Sequence, residues 1–169
     1  MPDSIMPAAR VAQQTEHFDV LIVGAGISGV GAAYHLTKQC PGTSFVALEA
    51  QDTFGGTWIT HRYPGIRSDS DLYTFGYRFK PWTGAPIASA AEILRYMGEV
   101  IEDNGLAPHV RYRHTLSSAS WSSRDNRWTL EGLVPRDRHK FVAAAARVGS
   151  RAALQPAASD HRSGDARPV

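Results

Sequence analysis

Two stretches carry residues whose types and spacing suit the binding of a dinucleotide. Gly24-Ala25-Gly26-Ile27-Ser28-Gly29 is a GxGxxG run, and Glu49 stands twenty positions beyond its last glycine. In such a run Gly24 permits a tight turn. Gly26 removes a Cβ where a pyrophosphate must approach the backbone, and Gly29 lets a following helix pack closely on the preceding strand. A helix opening there offers unpaired N–H groups and about half a positive charge to phosphate oxygens. Glu49 is an acceptor for a ribose diol, and an acid at that place disfavours a 2′-phosphate. The second stretch, GGTWITHRYPGIRSDSDLYTFGY at 55–77, holds two aspartates, two arginines and five aromatics. Its Gly55-Gly56 allows a ligand close to the backbone, Trp58 is able to cover a flat ring, and Pro64-Gly65 signals a turn.

These groups need a frame. Phe18 and the run 20–23 read as a strand buried on both faces, stopping at Gly24. The small-residue segment GVGAAYHLTKQ behind the glycines reads as a helix that Pro41-Gly42 ends, and 45–48 reads as a second strand ending at Glu49. A GxGxxG alone is weak evidence, but strand, turn, helix, strand and acid in this order form the required context. The bland alternative is a βαβ unit with an incidental glycine turn. The cradle itself leaves FAD and NAD both open. Further on, Ser89-Ala90-Ala91-Glu92 is a capping box. Ile93, Leu94, Met97, Val100 and Ile101 then recur at helical spacing until Asn104-Gly105. "VRYRHTL", "SASWSS" and "RWTLEG" read as short strands, with Arg124-Asp125-Asn126 as the turn between the last two and Trp121 and Trp128 packing on one face. The alternating aromatics Tyr73, Phe75, Tyr77 and Phe79 read as core packing, and Arg62 as solvated or structural.

Bulk properties narrow the class. The 169 residues fit one ordinary domain, the net charge is +2, and the basic residues form no run that would suggest nucleic acid. Cys40 is the single cysteine, so no internal disulfide forms, which fits a reducing cytoplasm. The seven histidines show no metal spacing, and no signal-peptide core or apolar run of about 20 residues occurs. The expected localisation is cytoplasmic, with no nucleic-acid or membrane partner.

"VGAGISG", "LEA", "GGTW" and "RYPGIRSDSD", taken together, resemble the flavin-binding part of class B flavoprotein monooxygenases of the Baeyer–Villiger type, close to the ethionamide-activating kind, over about residues 17–130. The resemblance implies an α/β fold: a Rossmann-like, three-layer FAD-binding domain with a small antiparallel β insertion. It implies FAD as cofactor and NADPH as reductant, with one oxygen atom of O₂ passing to a ketone or sulfide. Residue by residue, it implies that Gly24, Gly26, Ser28 and Gly29 hold the pyrophosphate and Glu49 the adenosine ribose. Gly56, Thr57 and Trp58 then line the flavin side. Arg67, Ser68 and Asp69 meet the isoalloxazine edge and the nicotinamide, with Asp69 as the catalytic candidate, and a backbone group of Leu116 meets the adenine. Read without the resemblance, Asp69 is an Asx-turn or capping residue. Two other functions stay open: a flavin- or nucleotide-binding module without chemistry, and a piece of an FAD-dependent oxidase or reductase.

The pattern fades from about Gly132. In 142–169, nine of twenty-eight residues are Ala and four are Arg, with no aromatic. Such composition rarely buries a core. The expected organisation is a flexible 1–16, a partial FAD-binding domain at 17–131, and an aberrant, disordered tail at 132–169, with the fold incomplete at its C-terminus. The resemblance calls for a strand and then a second GxGxxG after Gly132, and neither is read there. A frameshifted or truncated product, inactive alone, is the expectation; a natural disordered tail is the alternative.

Overall fold

The structure, a computed structural model, describes residues 15–134 and 137–148. Six strands and four helices follow in the order β1 (Thr15–Val23), α1 (Ile27–Gln39), β2 (Phe45–Leu48), α2 (Thr57–Thr60), α3 (Leu72–Phe75), α4 (Ala90–Asp103), β3 (Val110–Arg111), β4 (Thr115–Ser122), β5 (Arg127–Val134) and β6 (Asp137–Val148). The strands form one sheet in the order β3-β2-β1-β6-β5-β4. The pairs β3–β2, β2–β1 and β1–β6 are parallel, and the pairs β6–β5 and β5–β4 are antiparallel.

The alternation along β1 and β2 sorts their side chains to two cores. Ile22, Phe45 and Ala47 face α1 and α4, where Val30, Ala33, Ile93, Met97 and Val100 are buried. Leu21, Val23, Val46 and Leu48 face the opposite way and meet Leu130, Phe141 and Ala143, with Leu116, Ala119 and Trp128 at the margin. Helices therefore cover one face of the mixed sheet, while the opposite side chains of β1 and β2 share a second core with those of β4, β5 and β6. Each fully buried Leu, Ile or Phe contributes about 1.5–3 kcal/mol. The apolar positions of α4 lie inward as its spacing predicts, and its capping box forms: Ser89 Oγ accepts from the Glu92 amide while Glu92 Oε2 accepts from the Ser89 amide at 2.8 Å.

Four expectations are corrected. β1 starts at Thr15, upstream of Phe18 and of the boundary at 17. No strand was read after Gly132, yet β6 pairs with β1 from Thr15↔Lys140 to Val23↔Val148 and with β5 from Trp128↔Ala143 to Val134↔Asp137. The unstructured segment expected at 142–169 therefore overlaps a paired strand as far as Val148; residues 149–169 lie outside the described residues, as do 1–14. Alanines hid this strand. Their β-propensity is low, but a narrow strand between β1 and β5 needs little side-chain volume, and Phe141 supplies the large apolar group. "VRYRHTL" is not one strand. β3 ends at Arg111, Arg113 takes φ 59°, and the amides of Arg113 and His114 turn to the carbonyls of Gln51 and Glu49. Finally, Tyr73 and Phe75 are exposed, because residues 72–75 form the single turn α3 rather than an extended run; only Tyr77 and Phe79 pack inward.

One ion pair reaches across β2, from β3 to β1. Arg111, at the end of β3, donates to both oxygens of Glu16 in β1 at 2.6 and 2.9 Å and lies 5.5 Å from the Phe18 ring centre. That donation, strengthened by the guanidinium charge and opposed by partial burial, holds the Glu16 carboxyl below its ordinary range.

Candidate functional site

β1 and β2 run side by side and end together, so their carboxyl ends deliver the glycine turn and Glu49 to one place. Gly24 donates to the Leu48 carbonyl at 2.8 Å, continuing the ladder as the chain leaves the sheet. Its φ of +95° explains why glycine stands there. A Cβ on Gly29 would sit 2.0 Å from the Gly24 carbonyl oxygen, so the close packing of α1 on the turn requires its absence. No side chain caps α1, whose N-cap is Gly26. Its first-turn N–H groups are thereby left for an external acceptor.

Glu49 is 7% exposed and is one of two buried polar residues among the described ones, with Ser68. Its Oε2 accepts from the Ala25 amide at 2.7 Å and its Oε1 from the Gln51 amide at 2.9 Å. Its own backbone bonds Arg111 and His114, each at 2.8 Å. A carboxylate has about four lone-pair sites, so two remain for hydroxyl donors after the two amides are served. Tyr112 lies close enough for burial and then the Glu49 charge to push its phenol above the ordinary range.

The 55–77 loop lies against this turn. Gly55 donates to the Ala25 carbonyl at 3.0 Å, and a Cβ on Gly56 would approach the Gly26 Cα to 2.9 Å. The glycine pair expected to admit a ligand thus also admits the cradle itself. Gly56 opens α2 with φ +54°. Thr57 is exposed, and the half-buried Trp58 meets Phe75 edge-on at 6.3 Å. At its other end the loop carries the Tyr77 hydroxyl to the Ile27 carbonyl at 2.6 Å.

The structure groups Gly24, Gly26, Gly29, Glu49, Gly56 and Trp58 around or beside the turn, with Ser28 exposed in the first turn of α1. The segment with Arg67, Ser68 and Asp69 pairs instead with the approach to α4. Ser68 donates from its amide to the Ala88 carbonyl at 2.8 Å and accepts from the Ala88 amide on its hydroxyl at 3.1 Å. Ser68 is therefore a buried staple, holding Arg67 and Asp69 exposed on either side. Arg67 Nε donates to the Gly65 carbonyl at 3.2 Å, and Asp69 accepts from the Ser70 hydroxyl at 3.3 Å. The Asx-cap anticipated for Asp69 falls two residues on, where Asp71 accepts from the Thr74 amide at 2.9 Å and caps α3. Leu116 is half-buried against the second core, beside a bulge between Leu116 and Ser118. Sequence reasoning missed Ala25, which acts only through its backbone, and Tyr77, whose aromatic spacing signalled packing but not its hydroxyl. No group of three or more metal-ligating side chains occurs among the described residues.

Known proteins share this arrangement. Residues 22–85 match a family model described as an NAD(P)-binding Rossmann-like domain. The chain is 53% identical over 131 residues to the FAD-containing monooxygenase EthA of Mycolicibacterium smegmatis, covering 77% of the chain and 27% of that protein. It is 54% identical over 117 residues to EthA of Mycobacterium tuberculosis, covering 69% and 24%. Among solved structures, an oxidized steroid monooxygenase bound to NADP superposes with a TM-score of 0.71 at 31% identity, over 79% of this chain and 26% of that one. OTEMO in complex with FAD and NADP gives 0.67 at 26%, over 78% and 25%. The chain spans about a quarter of the length of the curated relatives it matches. Over the residues these matches cover, it is similar in sequence and in fold to the FAD-binding part of class B flavoprotein monooxygenases of the Baeyer–Villiger type.

Proposed function

We propose that residues 15–148 bind FAD and form the flavin-binding part of an NADPH-dependent monooxygenase that oxygenates ketones or sulfides. The observation that carries this reading is the buried Glu49 carboxylate, held by the Ala25 amide beside the uncapped start of α1. Two lone-pair sites for a ribose diol and a row of N–H groups for a pyrophosphate lie together there. FAD supplies the redox and oxygen chemistry when bound. The protein supplies position. The first turn of α1, with Gly26, Ser28 and Gly29, holds the phosphates, and Glu49 fixes the ribose. Gly56, Thr57 and Trp58 border the flavin, and the bulged backbone at Leu116 borders the adenine. Ser68 presents Arg67 and Asp69 outward, where the cation of Arg67 draws a phosphate or carboxamide and Asp69 orients a neighbouring positive group.

Titrating the chain with FAD tests this: saturable quenching of flavin fluorescence at one equivalent, competed by ADP-ribose, is expected. Absence of binding, or tight NAD binding without FAD binding, would overturn it. One observation favours a second reading, a flavin-binding module without turnover: among the described residues there is a single glycine-rich cradle, so NADPH finds only Arg67, Ser68 and Asp69. Consumption of NADPH at 340 nm by the chain alone, with and without a small ketone, would exclude this second reading.

A further inference from the structure

Tyr77 is more than a member of an aromatic run. Its hydroxyl donates to the carbonyl of Ile27, fifty residues earlier, at 2.6 Å. Ile27 is the first residue of α1, in the turn whose N–H groups are to meet the phosphates. The Tyr77 ring lies over Gly31, where a Cβ would come within 3.0 Å of Cε1. Gly31 is thus a slot for the ring. The phenol is in turn held from behind: the Tyr77 amide donates to Tyr96 Oη of α4 at 2.7 Å, and the Tyr77 ring stacks on Phe79, which stacks on Tyr34 of α1. Burial, and then the adjacent Tyr96 phenol, push the Tyr77 hydroxyl far above its ordinary range, so it stays a donor at any physiological pH. The Gly55–Ala25 bond pins the start of the same loop to the same turn.

We infer that Tyr77 is a positioning residue for the flavin site: through the Ile27 carbonyl it sets the first turn of α1 against the loop that borders the flavin. This rests on the proposed FAD binding. A 1 Å drift of that turn would misalign every N–H directed at a phosphate, whereas the ring alone suffices to fill the slot over Gly31.

Tyr77→Phe keeps the ring and removes the grip. In the full 169-residue chain, the FAD dissociation constant, measured by fluorescence quenching well below Tm, should rise about three- to tenfold. The visible circular dichroism of the bound flavin should change shape as well. Gly31→Ala, which displaces the ring, should raise the constant similarly, and the double variant should be no worse than the weaker single, because both act through one contact. An unaltered dissociation constant and dichroism in Tyr77→Phe, with only Tm lowered, would show a merely structural role and overturn the inference. So would additive effects of the two substitutions. Failure of the unsubstituted chain to bind FAD would instead overturn the proposed function.

Discussion

On the proposed reading, two demands meet at Glu49 in one carboxylate. It must keep the Ala25 and Gln51 amides satisfied and still offer acceptors outward. Glu49→Gln therefore does more than weaken a ribose contact. Its amide nitrogen faces one of the two N–H donors, whichever way it turns. Charge-assisted hydrogen bonds are worth about 1.5–3 kcal/mol, so FAD affinity should fall about tenfold or more in a calorimetric titration. Thermal stability should drop too, which a ribose ligand free of the backbone would not show. Gly29→Ala tests the turn itself. Its Cβ would meet a backbone carbonyl, not a side chain able to swing away, and overpacking of this kind costs about 1–3 kcal/mol. A variant with unchanged Tm and unchanged flavin affinity would contradict the packing described. Gly24 and Gly29 were legible because only glycine meets the φ of +95° and the close approach to the Gly24 carbonyl, and Glu49 because an acid at that offset belongs to the same pattern. The amide of Ala25 and the hydroxyl of Tyr77 were not, since backbone groups are common to all residues and a tyrosine in an aromatic run reads as packing.

Among the elements, α1 follows from its small residues between the glycine turn and Pro41-Gly42, β2 from its apolar run and α4 from its apolar period and capping box, and the structure reproduces them. β6 does not follow, because Ala143, Ala144, Ala145 and Ala146 carry no β signal of their own; the strand is specified by its two neighbours. That makes it a sensitive element. Limited proteolysis should spare the chain through about Ala146 instead of cutting near residue 131. Val142→Pro, which puts a proline in a strand paired on both sides with His17 and Thr129, removes a ladder donor and should cost about 1–3 kcal/mol. Rapid hydrogen exchange across 139–146 would contradict this pairing. The Glu16–Arg111 pair joins distant elements and has its own pH signature. The folded carboxyl titrates below its ordinary value of 4.5. Its contribution is therefore complete above that value and lost as pH falls through the lowered folded one. Both groups are partly solvated, so the effect is small. Glu16→Gln should lower Tm by up to about 3 °C at pH 7, and the gap should close in acid.

For the molecule as a whole, the mixed sheet and its helices place the glycine turn, Glu49 and the 55–77 loop at the carboxyl ends of β1 and β2, where open α/β sheets take ligands. No helix among the described residues is long and apolar enough to cross a membrane. The chain is expected to retain FAD yet consume NADPH no faster than free flavin does, since holding the nicotinamide at the flavin supplies about 7–11 kcal/mol of a barrier. Steady turnover would sink that expectation. One further consequence follows from the way the loop returns to where it started. Gly55 and Tyr77 fasten to Ala25 and Ile27, so the intervening chain is a ring whose clasp is the cradle. Ring closure is forgiving of circumference: doubling a loop costs only about 0.6 kcal/mol. Insertions on the exposed arc around Tyr63 and Pro64 should therefore leave the flavin seat intact, and that arc is where length can change while the seat keeps its shape.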